Sequence, residues 1–146
     1  IVYFYKTKGP VISGNAHNMF YATRYDYLRI AKAIMDDYQK DTCVGKYLKE
    51  IYDRKVLKNV NHRGVRGEPI FNRTKYYGGQ FHIGYPGLEN KVVFAMGGYG
   101  GKAILIDVED SRIVVVNTIH YNHDQFKYDE KKLLINPIKK GKKSFK

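Results

Sequence analysis

At 146 residues, 43% hydrophobic and 14% aromatic, the chain fits one domain or a large piece of one, and its 14 tyrosines exclude disorder over most of its length. The formal charge of +12 raises a polyanion partner such as nucleic acid or an acidic membrane. Lysines crowd residues 131–146 with no acid after Glu130, and no arginine stripe or basic–aromatic block accompanies them, so a solvated basic surface with a basic tail is preferred and nucleic acid is disfavoured.

The first residues, Ile1-Val2-Tyr3-Phe4-Tyr5-Lys6, carry neither a starting Met nor a signal-peptide layout, and they read as the middle of a longer protein. Ile1 to Tyr21 reads as irregular, with turn signals at Gly9-Pro10 and Ser13-Gly14-Asn15. Thr23 then caps a helix, with Asp26 near its positive end and Tyr27, Ile30, Ala31, Ile34 and Tyr38 at helical spacing. The pattern ends near Gln39. Asp41 or Thr42 caps a second helix, with Val44, Tyr47, Leu48, Ile51 and Tyr52 as its apolar stripe. Cys43 stands alone, which excludes an internal disulfide and a cysteine-based zinc site, and it reads as a half-buried thiol.

Val56 to Lys75 reads as a long basic loop, in which Arg63, Arg66 and Arg73 are solvated. Strands follow. Tyr76 to Ile83 is one strand weakened by Gly78-Gly79, and Gly84-Tyr85-Pro86-Gly87 is a turn. Lys91 to Met96, Lys102 to Asp107 and Arg112 to Ile119 complete three or four antiparallel strands. Ala103-Ile104-Leu105-Ile106 and Ile113-Val114-Val115-Val116 are apolar on both faces, as strands covered on both sides are. Helices followed by a strand meander define an α+β fold: helices over 22–55, sheet over 76–119, basic tail over 131–146. No apolar run is long enough to cross a bilayer.

Gly97-Gly98-Tyr99-Gly100-Gly101 is the most unusual feature. A phosphate cradle would need a helix to follow it, and Lys102 to Asp107 is a strand instead. Two readings remain: a bend between strands, which spacing alone favours, or a strand edge whose backbone N–H groups face a substrate carbonyl. Histidines at 17, 62, 82, 120 and 123 read as surface residues. His120 and His123 on a strand would face opposite ways, so no metal and no cofactor are expected.

Phe94-Ala95-Met96-Gly97-Gly98-Tyr99-Gly100-Gly101-Lys102, the apolar strand to Asp107-Val108-Glu109, and Arg112 to Val116 resemble the C-terminal hairpin of the β-lactamase-related serine hydrolases, the family of class C β-lactamases, DD-peptidases, esterases and amide hydrolases. Ala22-Thr23-Arg24-Tyr25-Asp26-Tyr27-Leu28 resembles that family's Thr-Ala-Arg-Asp-Leu helix, and Tyr76-Tyr77-Gly78-Gly79-Gln80-Phe81 its Tyr-Gly-x-Gly-aromatic strand, in the expected order. The resemblance implies the C-terminal part of a serine β-lactamase-like fold, acting on a small ester or amide through an acyl-serine. Family members are often periplasmic or secreted; this sequence does not set the compartment.

The resemblance also implies a Ser-x-x-Lys, which is absent: Ser13 is followed three on by Ala16, and Ser111 by Val114. Tyr-x-Asn is absent too, Ser13-Gly14-Asn15 lies in the wrong place for its Ser-x-Asn variant, and Ala95-Met96-Gly97 stands where a Lys or His precedes Gly. The family's strand-borne oxyanion donor maps to the Gly98 or Tyr99 backbone, with Met96, Gly97 and Gly100 lining the substrate side. The chain alone is expected to be inactive. The alternatives are a basic module for nucleic acid or anionic surfaces built on Lys139 to Lys146, and a non-catalytic relative.

Overall fold

The computed structural model of the chain describes residues 3–6, 18–58, 74–98, 102–116 and 134–141. Strands β1 (Tyr3–Lys6) and β2 (Asn18–Tyr21) pair antiparallel, Tyr3 opposite Tyr21, where an irregular start was expected. Both are rich in aromatic β formers. The turn signals between them lie outside the described residues.

Helix α1 (Arg24–Gln39) begins on a capping box. The Thr23 hydroxyl accepts from the Asp26 N–H at 3.2 Å, and the Asp26 carboxylate accepts from the Thr23 N–H at 3.1 Å. These bonds from Thr23 hold the Asp26 carboxyl down at about 2. Ala31 and Met35 are buried, flanked by half-buried Tyr27, Ile34 and Tyr38.

Helix α2 (Cys43–Asp53) follows almost at once, through Asp41 at a left-handed φ of 54°. Thr42 is its cap: its hydroxyl accepts from Gly45 N–H at 3.1 Å and donates to Asp37 Oδ1 at 2.8 Å. Leu48, Ile51 and Tyr52 of the expected stripe pack on the core, but the edge of the stripe is rotated from Val44 and Tyr47 onto Gly45. Gly45 and Leu48 are buried, whereas Val44 is 51% and Tyr47 65% exposed. The cause is a backbone contact. A Cβ on Gly45 would stand 1.9 Å from the Asp37 carbonyl oxygen of α1, so only glycine lets the helices approach this closely. With Gly45 facing α1, Cys43 and Val44 turn outward, and Cys43 is exposed rather than half-buried.

The sheet holds six antiparallel strands in sequence order, more than the three or four expected: β3 (Val56–Leu57), β4 (Tyr76–Gly78), β5 (Phe81–Ile83), β6 (Val93–Gly98), β7 (Lys102–Asp107) and β8 (Arg112–Val116). Tyr76 to Ile83 is a hairpin, not one strand. Gly79 and Gln80 both adopt positive φ, 52° and 70°, as the centre of a two-residue hairpin turn of the primed kind requires. The fold class is α+β, as expected.

Both sheet faces are covered. Ile83, Phe94, Ile104 and Ile106 meet Ala31, Met35 and Leu48 on one face. Val93, Ala95, Ala103 and Leu105 meet Leu134, Ile135 and Ile138 on the other. The basic tail thus includes a packed piece: α3 (Asn136–Lys140) buries Ile138 completely. Arg112 fixes its end by donating to the carbonyls of Ile138 at 2.6 Å and Lys139 at 3.1 Å.

The β7–β8 turn is held by Asp107, which is fully buried. Its Oδ1 accepts from the N–H groups of Glu109 at 3.2 Å and Asp110 at 3.0 Å. Its Oδ2 accepts from Lys91 Nζ at 3.1 Å, and Lys91 also pairs with Asp110. A buried carboxylate is tolerable only with such partners.

The Gly45 contact yields a sign test. Helix propensity alone predicts that Gly45→Ala stabilises by about 1 kcal/mol. The 1.9 Å approach predicts the opposite, a net loss of about 1–3 kcal/mol as the helices are forced apart. Urea unfolding followed by circular dichroism measures the difference, and a raised midpoint would rule out the close helix contact.

Candidate functional site

Met96, Gly97 and Gly98 sit on β6; Tyr99 and Gly100 lie outside the described residues. Gly97 and Gly98 do not interrupt the strand. They pair with Ala103 and Lys102 in register. The direction of each amide follows from strand alternation. Val92 C=O accepts from Val108 N–H at 3.3 Å, so residues 92, 94, 96 and 98 turn their backbone groups toward β7. Residues 93, 95 and 97 turn theirs toward β5. Gly98 therefore turns its amide into the β7 ladder, and among the described residues of this stretch Gly97 is the one whose amide turns the other way. The registered pairing of β6 with β5 is His82 opposite Ala95. Gly97 lies beyond it and is exposed.

Beside this edge, between α1 and the β6–β7 hairpin, lies a cleft of about 210 Å³. Tyr27 and Ile30 of α1, Met96 and Gly97 of β6, and Lys102 and Ile104 of β7 line it. Two of the residues assigned from sequence to the substrate side, Met96 and Gly97, thus share one cleft. Burial pushes the Tyr27 phenol pKa up. Lys102 makes no ion pair or side-chain hydrogen bond among the described residues. Ser111, the serine within those residues, is remote from the cleft: it sits past the far end of β7 and accepts from Gln39 Nε2 at 2.8 Å.

A second polar cluster went unseen in the sequence. Lys58 Nζ donates to His82 Nδ1 at 2.6 Å and to Thr74 Oγ1 at 2.5 Å, and Thr74 is fully buried. The Tyr77 ring meets the His82 ring edge-on at 5.1 Å. An ammonium donating to Nδ1 makes His82 a neutral imidazole with its proton on Nε2. Burial lowers the Lys58 pKa to about 8. Lys58 and His82 are far apart in the chain, and only the β3–β4–β5 pairing brings them together. His82 is thus half-buried and bonded, not a surface histidine.

Among the described residues no group of three His, Cys, Asp or Glu side chains could hold a metal, and no helix is long and apolar enough to cross a membrane. His17, His62, His120 and His123, and Arg63, Arg66 and Arg73, lie outside those residues. Comparison with protein-family models, curated proteins and solved structures finds no match to this chain.

The Lys58 environment predicts a pH dependence. Its folded pKa lies below the ordinary 10.5, so between about pH 8 and 10.5 the unfolded chain holds a proton that the folded chain has released. Stability contributed by this group therefore rises with pH across that window. Burial raises the Tyr27, Tyr38 and Tyr52 pKa values, which acts the other way above pH 10. The comparison is thus wild type against Lys58→Met, from about pH 7.5 to 9.5. The urea midpoint of the wild type should gain on the variant as pH rises. A constant difference would show that Lys58 is not desolvated.

Proposed function

We propose that this chain forms one wall of the acyl-transfer site of a serine hydrolase acting on a small ester or amide. The observation that carries it is the exposed Gly97 of β6, with its amide turned away from the β7 ladder, standing beside an apolar cleft. The motif order around it, which resembles the β-lactamase-related serine hydrolases, supports the same reading.

On this reading the nucleophile and its lysine come from a segment beyond these 146 residues, since Ser-x-x-Lys is absent from them. Serine Oγ attacks the substrate carbonyl while the lysine amine takes its proton. Negative charge gathers on the carbonyl oxygen, where Gly97 N–H donates alongside the nucleophile's own N–H. The tetrahedral intermediate collapses, the proton passes to the leaving alcohol or amine, and water then releases the acid from the acyl-serine. Gly97 suits the donor position because it has no side chain between its amide and the substrate.

The test uses two polypeptides. The 146-residue chain should neither react with a fluorophosphonate nor hydrolyse p-nitrophenyl butyrate above the buffer rate. A longer polypeptide that adds the coding sequence upstream should be labelled at a serine followed three residues on by lysine. In that polypeptide Gly97→Pro, which deletes the donor, should lower kcat about 10²- to 10³-fold with the fold intact by circular dichroism. A longer polypeptide that is folded but unlabelled would overturn the reading and leave a non-catalytic relative.

A further inference from the structure

We infer that the cleft between α1 and the β6–β7 hairpin binds medium-chain carboxylates. The alkyl chain would lie on Tyr27, Ile30, Met96 and Ile104, with the carboxylate at Lys102. This deepens the acyl-transfer reading and rests on it for biological meaning, since such a carboxylate is the acid released from an ester of that acyl group. Binding itself needs no nucleophile.

Volume sets the size. The cleft of about 210 Å³ suits a single acyl chain of medium length lying along it, longer than the few carbons of a butyrate.

Wall chemistry sets the polarity. On β6 and β7, Phe94, Met96, Ile104 and Ile106 face the helices, while Ala95, Ala103 and Leu105 face α3. Alternation places Lys102 on the same side as Ile104. The cation therefore stands on the cleft's own face, at the Gly98 end of the hairpin.

Charge sets the head group. Among the described residues Lys102 has no ion-pair partner and no acidic side chain lines the cleft. One cation on an apolar surface suits an amphiphile with one negative charge. A neutral hydrocarbon would leave Lys102 unused, and a polyanion would need several cations and no apolar wall.

The experiment is calorimetric titration of octanoate into the 146-residue chain, with butyrate and octanol as comparisons. Octanoate should bind saturably, one per chain, and butyrate at least tenfold more weakly. Ile30→Trp, which fills the apolar end, should weaken octanoate at least tenfold. Lys102→Gln should weaken octanoate severalfold and leave octanol unchanged, and this rim substitution leaves the core intact. Circular dichroism confirms folding for each variant. Absence of saturable binding by the folded chain, or binding that neither substitution weakens, overturns the inference. Octanoate binding without serine labelling in the longer polypeptide would sink the acyl-transfer reading and leave the carboxylate site standing. Labelling without octanoate binding would do the reverse.

Discussion

The fold depends on where Phe94 sits. Its ring is fully buried and meets Tyr38 of α1, Tyr52 of α2 and Phe81 of β5, all edge-on, at centroid distances of 5.7, 6.0 and 5.1 Å. One side chain thus ties both helices and a neighbouring strand to β6. Edge-to-face contacts are directional, so they fix the angle of the helices over the sheet as well as the burial. The opposite face has no aromatic of that kind facing it from α3. It is closed by Leu134, Ile135 and Ile138 together with the fully buried Tyr85, and by Arg112 capping the carbonyls at the end of α3.

Everything proposed for the site follows from how β6 continues past Phe94. Two residues on, Met96 still faces the helices, but α1 is there represented by Tyr27 and Ile30, near its start. The next residues of β6 are glycines and add no side chain to fill the space. The cleft is therefore a gap left between a helix anchored further along and a strand that runs out of side chains. Gly97 is exposed beside that gap.

Parts of this were legible in the sequence because local chemistry decides them. Thr23 and Asp26 mark the start of α1 at their own positions, and the uninterrupted apolar run of β7 announces a strand covered on both sides. Other parts depend on contacts distant in the chain. The Gly79-Gln80 turn does not read as a hairpin, because Gln is not a residue expected at positive φ, and the Ile51 side chain packed against Gly79 helps hold it there. The rotation of α2 was hidden because hydrophobic periodicity gives glycine no weight, although Gly45 is what sits against α1. Lys58 and His82 meet only through strand pairing. Which amide of β6 faces away from β7 was hidden for a related reason: it depends on the phase of the ladder, and a one-residue shift reverses it.

The phase of that ladder also bears on how a chain with this motif would handle charge. The family pattern that the sequence resembles puts a lysine or histidine just before the glycines of this strand, and Met96 stands there instead. Met96 faces the cleft, so the wall there is apolar. A cation stands close by. Met96 pairs with Ile104 and Gly98 with Lys102, so Lys102 lies one diagonal step from Met96 on the same face. The cleft therefore carries its positive charge on β7 at the rim, with an apolar wall in the middle. On the reading proposed above, an apolar acyl group would lie on that wall, and the acid released from it would meet the charge at the mouth.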